Sequence, residues 1–319
     1  MRALRVSSLS PDLSGVALAE VPDAAVAPGK VLIRVRAAAL NYPDLLMTRG
    51  EYQLKPPLPF VPGMEVAGDV VAGDGFAPGT AVVAGTRLGG FADLVAVDPG
   101  AVREKPGHLS YAEAAGVGAA YLTAYVALVR LAAVQPGEWL LVHGATGGVG
   151  LAAVDLAGAL GAKVIATSRS GTKLAAVARD YRLAASLPAP GFREQVKELT
   201  GGGADVAFDP VGGDVFDEST RCIAFGGRLL VVGFTSGRIA TLSTNIPLIK
   251  GFSVIGVRAG EYGRQFPERG RENQDAIWRL AADRRIRPRV HAEVPLADWR
   301  EAFAAMQASE MVGKLVLVP

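Results

Sequence analysis

The stretch from Trp139 to Thr167 leaves this chain few folds to choose from. Trp139 to Val142 is a short apolar run of the kind a fully buried parallel strand shows. A glycine-rich turn follows, Gly144 to Gly150, and Leu151, Val154, Leu156 and Leu160 then recur at helical spacing. Gly161 stops that helix, and Val164 to Thr167 forms a second buried run. Strand, glycine turn, helix and strand in this order make a βαβ unit suited to a dinucleotide.

Each part of the turn has a physical task in that reading. Gly147 is expected to let the chain turn tightly, while Gly148 and Gly150 let backbone approach a pyrophosphate and let helix lie close on strand. Amides at the helix start, with the helix dipole, then hold the phosphate charge. Ala145 stands where the G-x-G-x-x-G pattern has its first glycine. The expected nucleotide contacts are Ala145, Thr146, Gly147, Gly148, Val149 and Gly150. After the second strand an NAD enzyme carries an acid for the ribose 2′-hydroxyl. Here Thr167-Ser-Arg-Ser-Gly-Thr-Lys173 has none, and Ser168, Arg169 and Lys173 offer donors and positive charge for a 2′-phosphate. The expected cofactor is therefore NADPH, against the plainer reading of a solvated basic loop.

From Trp139 to about Val257 strands and helices alternate, which argues a doubly wound parallel sheet. Before it, about a hundred residues read as short strands between turns such as Ala27-Pro-Gly29 and Ala77-Pro-Gly79. After it, mixed structure ends in the strand Gly313-Lys-Leu-Val-Leu-Val318. A discontinuous β-rich domain around one inserted sheet follows, and 319 residues suffice for two cores. The net charge of +2 makes no electrostatic case for nucleic acid. No apolar run reaches membrane-spanning length and the first residues read as a strand, so a cytoplasmic protein is expected. Cys222 is the sole cysteine, which excludes an intrachain disulfide, and it reads as buried filler. His108, His143 and His291 lack metal-ligand spacing.

Several segments in order carry a resemblance: Ala39-Leu-Asn-Tyr-Pro-Asp44, Pro59-Phe-Val-Pro-Gly-Met-Glu-Val-Ala-Gly68, Leu122-Thr-Ala-Tyr125, Gly144 to Gly150, Asp209-Pro-Val-Gly-Gly213 and Gly313-Lys-Leu. Together they resemble the medium-chain dehydrogenase/reductase superfamily, in its zinc-free quinone oxidoreductase branch, which includes zeta-crystallin. The resemblance implies an α/β fold, a Rossmann doubly wound parallel sheet plus a GroES-like β-rich catalytic domain, with the active site in the cleft between them. We divide the chain accordingly into 1–117 with 259–319, GroES-like, and 118–258, Rossmann. Zinc-dependent members carry Gly-His-Glu where this chain has Gly63-Met64-Glu65, so no metal is expected.

The resemblance also nominates site residues. Asn41 and Tyr52 match an asparagine and a tyrosine lining the pocket of related quinone and enoyl reductases, and Thr123 matches a threonine beside the nicotinamide. Without the family these would be a turn residue, loop packing and a helix hydroxyl. Gly233, Phe234 and Thr235, with Gly256 and Val257, lie at the ends of late strands, where a doubly wound sheet places its ligand or where strands simply stop. The implied reaction is hydride transfer from NADPH to a quinone or other α,β-unsaturated carbonyl, with Tyr52 and Asn41 as donors to the oxygen that gains charge. Leu45-Leu-Met47 stands where some relatives have a second tyrosine, which leaves room for other conjugated acceptors. The alternatives are an enoyl-thioester or 2-haloacrylate-like acid, served by Arg264, Arg269 and Arg271, and an NADPH-binding structural or RNA-binding role without turnover. The basic run Arg284 to Arg289 reads as cations set against helix dipoles, with a CoA phosphate as the lesser reading. The apolar segment Phe252 to Val257 reads as an edge strand able to pair with a second copy, so a homodimer is expected.

Overall fold

A computed structural model describes residues 1–25 and 28–319, so Ala27 of the turn Ala27-Pro-Gly29 lies outside the described residues. The chain divides into two compact units, Met1–Ala119 with Pro288–Pro319, and Ala120–Arg287.

The first unit begins with β1 (Arg2–Val6) paired antiparallel to β2 (Val16–Glu20). Next come β3 (Val31–Ala39), helix α1 (Tyr42–Arg49), β4 (Glu65–Ala72), β5 (Ala81–Gly85), β6 (Leu94–Val97), β7 (Val102–Glu104) and the short helix α2 (Tyr111–Ala115). The β-branched residues of β3 supply the centre of its core: Val31, Ile33 and Val35 are buried with Leu4, Phe91 and Phe303. Helix α1 is absent from the sequence reading, because eight residues are too few to show a helical period.

The second unit opens with α3 (Gly118–Tyr125), whose first two residues still belong to the first unit. A π-helical stretch, Val126–Leu131, continues it. Then follow β8 (Trp139–Val142), α4 (Gly148–Leu160), β9 (Lys163–Ser168), α5 (Gly171–Asp180), β10 (Ala185–Pro188), α6 (Arg193–Thr200), β11 (Ala204–Asp209), α7 (Gly213–Ser219), β12 (Ile223–Val231), α8 (Asn245–Lys250), β13 (Ser253–Gly256), α9 (Ala259–Gln265) and α10 (Pro267–Ala282). All six strands are parallel, in the order β10-β9-β8-β11-β12-β13. The order reverses between β9-β8 and β8-β11, which is the switch point where such sheets bind ligands. Leu140, Leu141 and Val142 are fully buried, each contributing about 1.5–3 kcal/mol of hydrophobic stabilisation. Helix α7 ends at Ser219. The Ser219 hydroxyl donates to Val215 O and that of Thr220 to Asp217 O, and β12 starts at Ile223.

The chain then returns to the first unit with β14 (Val290–Pro295), α11 (Trp299–Gln307) and β15 (Lys314–Val318). Its sheet runs β14-β15-β3-β4-β5-β7, with β6 also on β3. Residues 259–287, placed with this unit by the sequence, lie in the second. Asn273, Ile277 and Ala281 of α10 are buried there, and Arg130 donates to Asn273 Oδ1 and Glu272. Arg285 donates to Ala159 O and Arg287 to Asp180 O, so two cations of the basic run sit on the C-terminal carbonyls of α4 and α5.

Candidate functional site

In the second unit the nucleotide residues named from sequence gather at the C-terminal ends of the parallel strands. Gly144 is the turn residue with left-handed backbone (φ 55°), whereas Gly147 is extended (φ −82°, ψ 165°) and serves as the N-cap of α4. The tight turn therefore belongs to Gly144. Gly150 is needed for close approach: a Cβ there would come within 2.2 Å of Gly144 O. Ala145 is buried and donates its N–H to Thr167 O, while Gly147, Gly148 and Val149 keep part of their surface at the start of α4. That start leaves backbone amides without intrahelical partners, a cradle for anionic oxygen.

Thr146 Oγ1 lies 3.5 Å from Ser168 Oγ at the end of β9. Arg169 follows on the surface with no partner among the described residues, and Lys173 stands one turn into α5, which Ser170 caps by accepting the Lys173 N–H. No carboxylate occurs between Thr167 and Lys173. At the end of β12, Gly233 and Val232 donate to Asp209 O, and the Thr235 N–H and hydroxyl both donate to Pro210 O; Phe234 is exposed. Gly256 closes β13 and the Val257 N–H donates to Val231 O. Thr123 is half-buried on α3.

Several polar groups are buried within this unit. His143 is fully buried with its ring tilted against that of Phe192, and burial pushes its imidazole down to about 3. Asp209 Oδ1 accepts from Val211 N–H and Gly212 N–H, while Oδ2 is buried with no partner among the described residues, and burial raises its carboxyl above the usual range. Asp155 accepts from the Tyr121 hydroxyl and the Arg287 N–H, both at 2.6 Å. Cys222 is buried, and burial pushes its thiol up to about 12, as befits filler.

In the first unit Asn41 caps α1 and Tyr52 lies just beyond the far end of that helix. Asn41 is 6% exposed. Its Nδ2 donates to Ala39 O at 3.2 Å and to Glu65 Oε1 at 2.9 Å, and its Oδ1 accepts from Lys314 Nζ at 2.7 Å. Both amide hydrogens are thus engaged inside the protein. Tyr52 differs: its ring packs on the core, and its hydroxyl has no partner among the described residues. The buried Asp44 accepts from Asn41 N–H and Gly63 N–H, and burial pushes its carboxyl up to about 7. The N-cap pattern Asn41-x-x-Asp44 could have revealed this carboxylate in the sequence. Glu65 and Lys314 stand in quoted motifs, but their pairing at 3.2 Å is a tertiary fact.

The arginines considered for an acid group are partly occupied: Arg264 pairs with Glu261, and Arg269 donates to the Tyr262 hydroxyl and lies over Phe266. Among the described residues no three His, Cys, Asp or Glu side chains lie together as a metal site, and Glu65 already holds Lys314, Asn41 and the Ala119 N–H. This donor set does not fit zinc. No helix of the described residues is long and apolar enough to cross a membrane.

The alcohol dehydrogenase GroES-like domain family matches residues 27–127, and the zinc-binding dehydrogenase family matches residues 148–273. The chain is 35% identical over 298 residues to a quinone oxidoreductase-like protein 2 homolog of Nematostella vectensis, covering 90% of this chain and 81% of that protein. A probable oxidoreductase of Mycobacterium abscessus superposes with a TM-score of 0.89 at 38% identity, covering 100% and 99% of the two chains. The quinone oxidoreductase of Thermus thermophilus, solved also in complex with NADPH, gives 0.87 at 30% identity over 100% of both chains.

Proposed function

The chain belongs to the medium-chain dehydrogenase/reductase superfamily, in its zinc-free quinone oxidoreductase branch, and from that premise we propose an NADPH-dependent, zinc-independent reductase of quinones and other α,β-unsaturated carbonyls. The observation that carries the reading is local. A close-approach glycine turn at β8–α4 stands beside a β9 end that offers Ser168, Arg169 and Lys173 and no carboxylate.

NADPH, once bound, supplies a hydride. The amides at the start of α4 hold the pyrophosphate. Arg169 and Lys173 take the 2′-phosphate, which an NAD-type acid would repel. Gly233, Phe234, Thr235, Gly256 and Val257 carry the nicotinamide half, with Thr123 beside the ring. As the acceptor gains a hydride, negative charge grows on its oxygen, and a donor aimed there lowers the barrier. Tyr52 is that donor, because its hydroxyl is uncommitted, while Asn41 serves by holding the backbone from which Tyr52 projects. The proton that completes the product comes from Tyr52 or from water.

The working form is a homodimer joined along β13. That strand is an open edge of the six-stranded sheet, and Phe225, Leu248 and Ile249 near it are 89%, 81% and 76% exposed. An unpaired edge flanked by large apolar side chains calls for a cover, and a second copy supplies one of matching chemistry.

The test is NADPH oxidation with a hydrophobic ortho-quinone and, separately, with crotonyl-CoA, using enzyme dialysed against a chelator and NADH as the control. Quinone turnover that survives dialysis and prefers NADPH is expected. Turnover of the thioester alone would move the acceptor to enoyl thioesters, and binding of NADPH with no turnover would sink the enzymatic reading. Tyr52→Phe should lower kcat about 100-fold, as loss of one charge-stabilising donor does.

A further inference from the structure

The cluster around Lys314 is more than packing. Its ammonium carries three N–H groups, and three acceptors meet them: Leu40 O at 3.0 Å, Asn41 Oδ1 at 2.7 Å and Glu65 Oε1 at 3.2 Å. Glu65 Oε1 also accepts from Asn41 Nδ2, and Oε2 accepts from Ala119 N–H at 2.6 Å. Room for that carboxylate requires Gly118, where a Cβ would approach Oε2 to 2.7 Å. Lys314 and Glu65 are both buried. A buried ion pair is a poor device for stability alone, since well-packed apolar side chains would serve as well. What this pair does supply is direction. The cation forces the Asn41 oxygen toward itself, the anion and Ala39 O take one amide hydrogen each, and the side chain cannot turn over.

The direction matters because of what Asn41 begins. Its backbone N–H is bound by Asp44 Oδ2, whose partner oxygen holds Gly63 N–H, so the first turn of α1 is pinned to the chain ahead of β4. Helix α1 is eight residues long, a rigid spacer of about 12 Å, and Gly50 in left-handed conformation closes it two residues before Tyr52. We infer that Lys314 is a positioning residue of the substrate site: with Glu65 it clamps Asn41 and the start of α1, and thereby sets where the helix delivers Tyr52. This rests on the reading of Tyr52 as the donor to the acceptor oxygen.

The clamp also has a charge that can be followed without substrate. Asp44 sits within it with its carboxyl pushed up to about 7 by burial. The Asn41 and Gly63 amides favour its charged form, Lys314 on β15 draws it down, and Glu65 on β4 pushes it up.

The experiment compares Lys314→Met, Lys314→Arg and Glu65→Gln in the full chain. Lys314→Met should lower kcat with the quinone about 100-fold, the loss expected of Tyr52→Phe, while the KM for NADPH stays within about twofold, since the nucleotide residues lie in the other unit. In the Lys314→Met background, adding Tyr52→Phe should have almost no further effect, because a displaced hydroxyl has nothing left to lose. A folded Lys314→Met enzyme with wild-type kcat, or a full additional loss on Tyr52→Phe, overturns the inference. If Lys314→Met does not fold, Glu65→Gln and Lys314→Arg carry the same comparison. Carbon-13 titration of the Asp44 carboxyl should move its midpoint up in Lys314→Met and down in Glu65→Gln, and no movement in either also overturns it. That titration needs no turnover, so an enzyme inactive on every acceptor would defeat the proposed reaction and still report on the clamp.

Discussion

His143 Nδ1 lies 2.8 Å from Thr167 Oγ1, an internal bond between the ends of two neighbouring strands of the nucleotide unit. On the other side Nε2 lies 2.7 Å from Ser219 Oγ, whose hydroxyl donates to Val215 O. The neutral ring satisfies both hydroxyls by donating from Nε2 and accepting at Nδ1, and protonation brings a charge into a dry site.

That arrangement makes the fold acid-sensitive. His143 titrates at about 3 when folded against 6.5 for the free side chain, so the unfolded chain binds more protons between these values. Its contribution is complete above pH 6.5 and shrinks as pH falls toward 3, by up to about 1.4 kcal/mol per unit. Urea unfolding at pH 7 and pH 5 should show a larger acid loss in the wild type than in His143→Gln, and equal losses would refute this.

The glycine turn should tolerate change unevenly. Gly150→Ala drives a methyl into Gly144 O and should destabilise the protein by more than about 2 kcal/mol. Gly147→Ala meets only an ordinary 3.5 Å contact and needs no unusual φ, so thermal stability should hold while NADPH affinity falls. Thermal melts of the two variants with and without NADPH distinguish these effects.

Arg169→Ala removes the guanidinium proposed for the 2′-phosphate. A charged hydrogen bond of about 1.5–3 kcal/mol is then lost, so the KM for NADPH should rise about 10- to 100-fold with the KM for NADH nearly unchanged. If both rise together, Arg169 does not read the 2′ position.

Phe225→Glu with Leu248→Glu places two like charges on the exposed apolar patch. Sedimentation velocity should show the wild type as a dimer and the double variant as a monomer with an unaltered circular dichroism spectrum. A wild-type monomer at micromolar concentration would remove the dimer.

The nucleotide half was legible because its constraints act on neighbours in sequence. A strand, a turn and a helix leave periodic apolar residues and glycines where backbone must pass close to backbone, as Gly150 does beneath Gly144 O. Even there, which glycine turns the chain was misjudged, since Gly144 and Gly147 look alike until φ is known. Residues 259–287 were placed in the wrong unit because their attachment runs through Arg130 to Asn273, a contact between distant segments. In the first unit the motifs around Asn41, Glu65 and Lys314 were visible. The meeting of the three was not, because a lysine in sequence looks solvated, and only β15 beside β3 brings it inside. Asn41 read as a free donor for the same reason.

The position of Lys314 also sets an order of events during synthesis. Its carboxylate partner emerges from the ribosome 249 residues earlier, and meanwhile Glu65 must stay hydrated and β3 lacks the neighbour that completes its sheet. The unit formed by Ala120–Arg287 has all six of its strands before then. Domains usually mature from the amino end forward, but here the unit that begins later is the first whose strands are all synthesised, and the earliest-made segment pairs with the last strand.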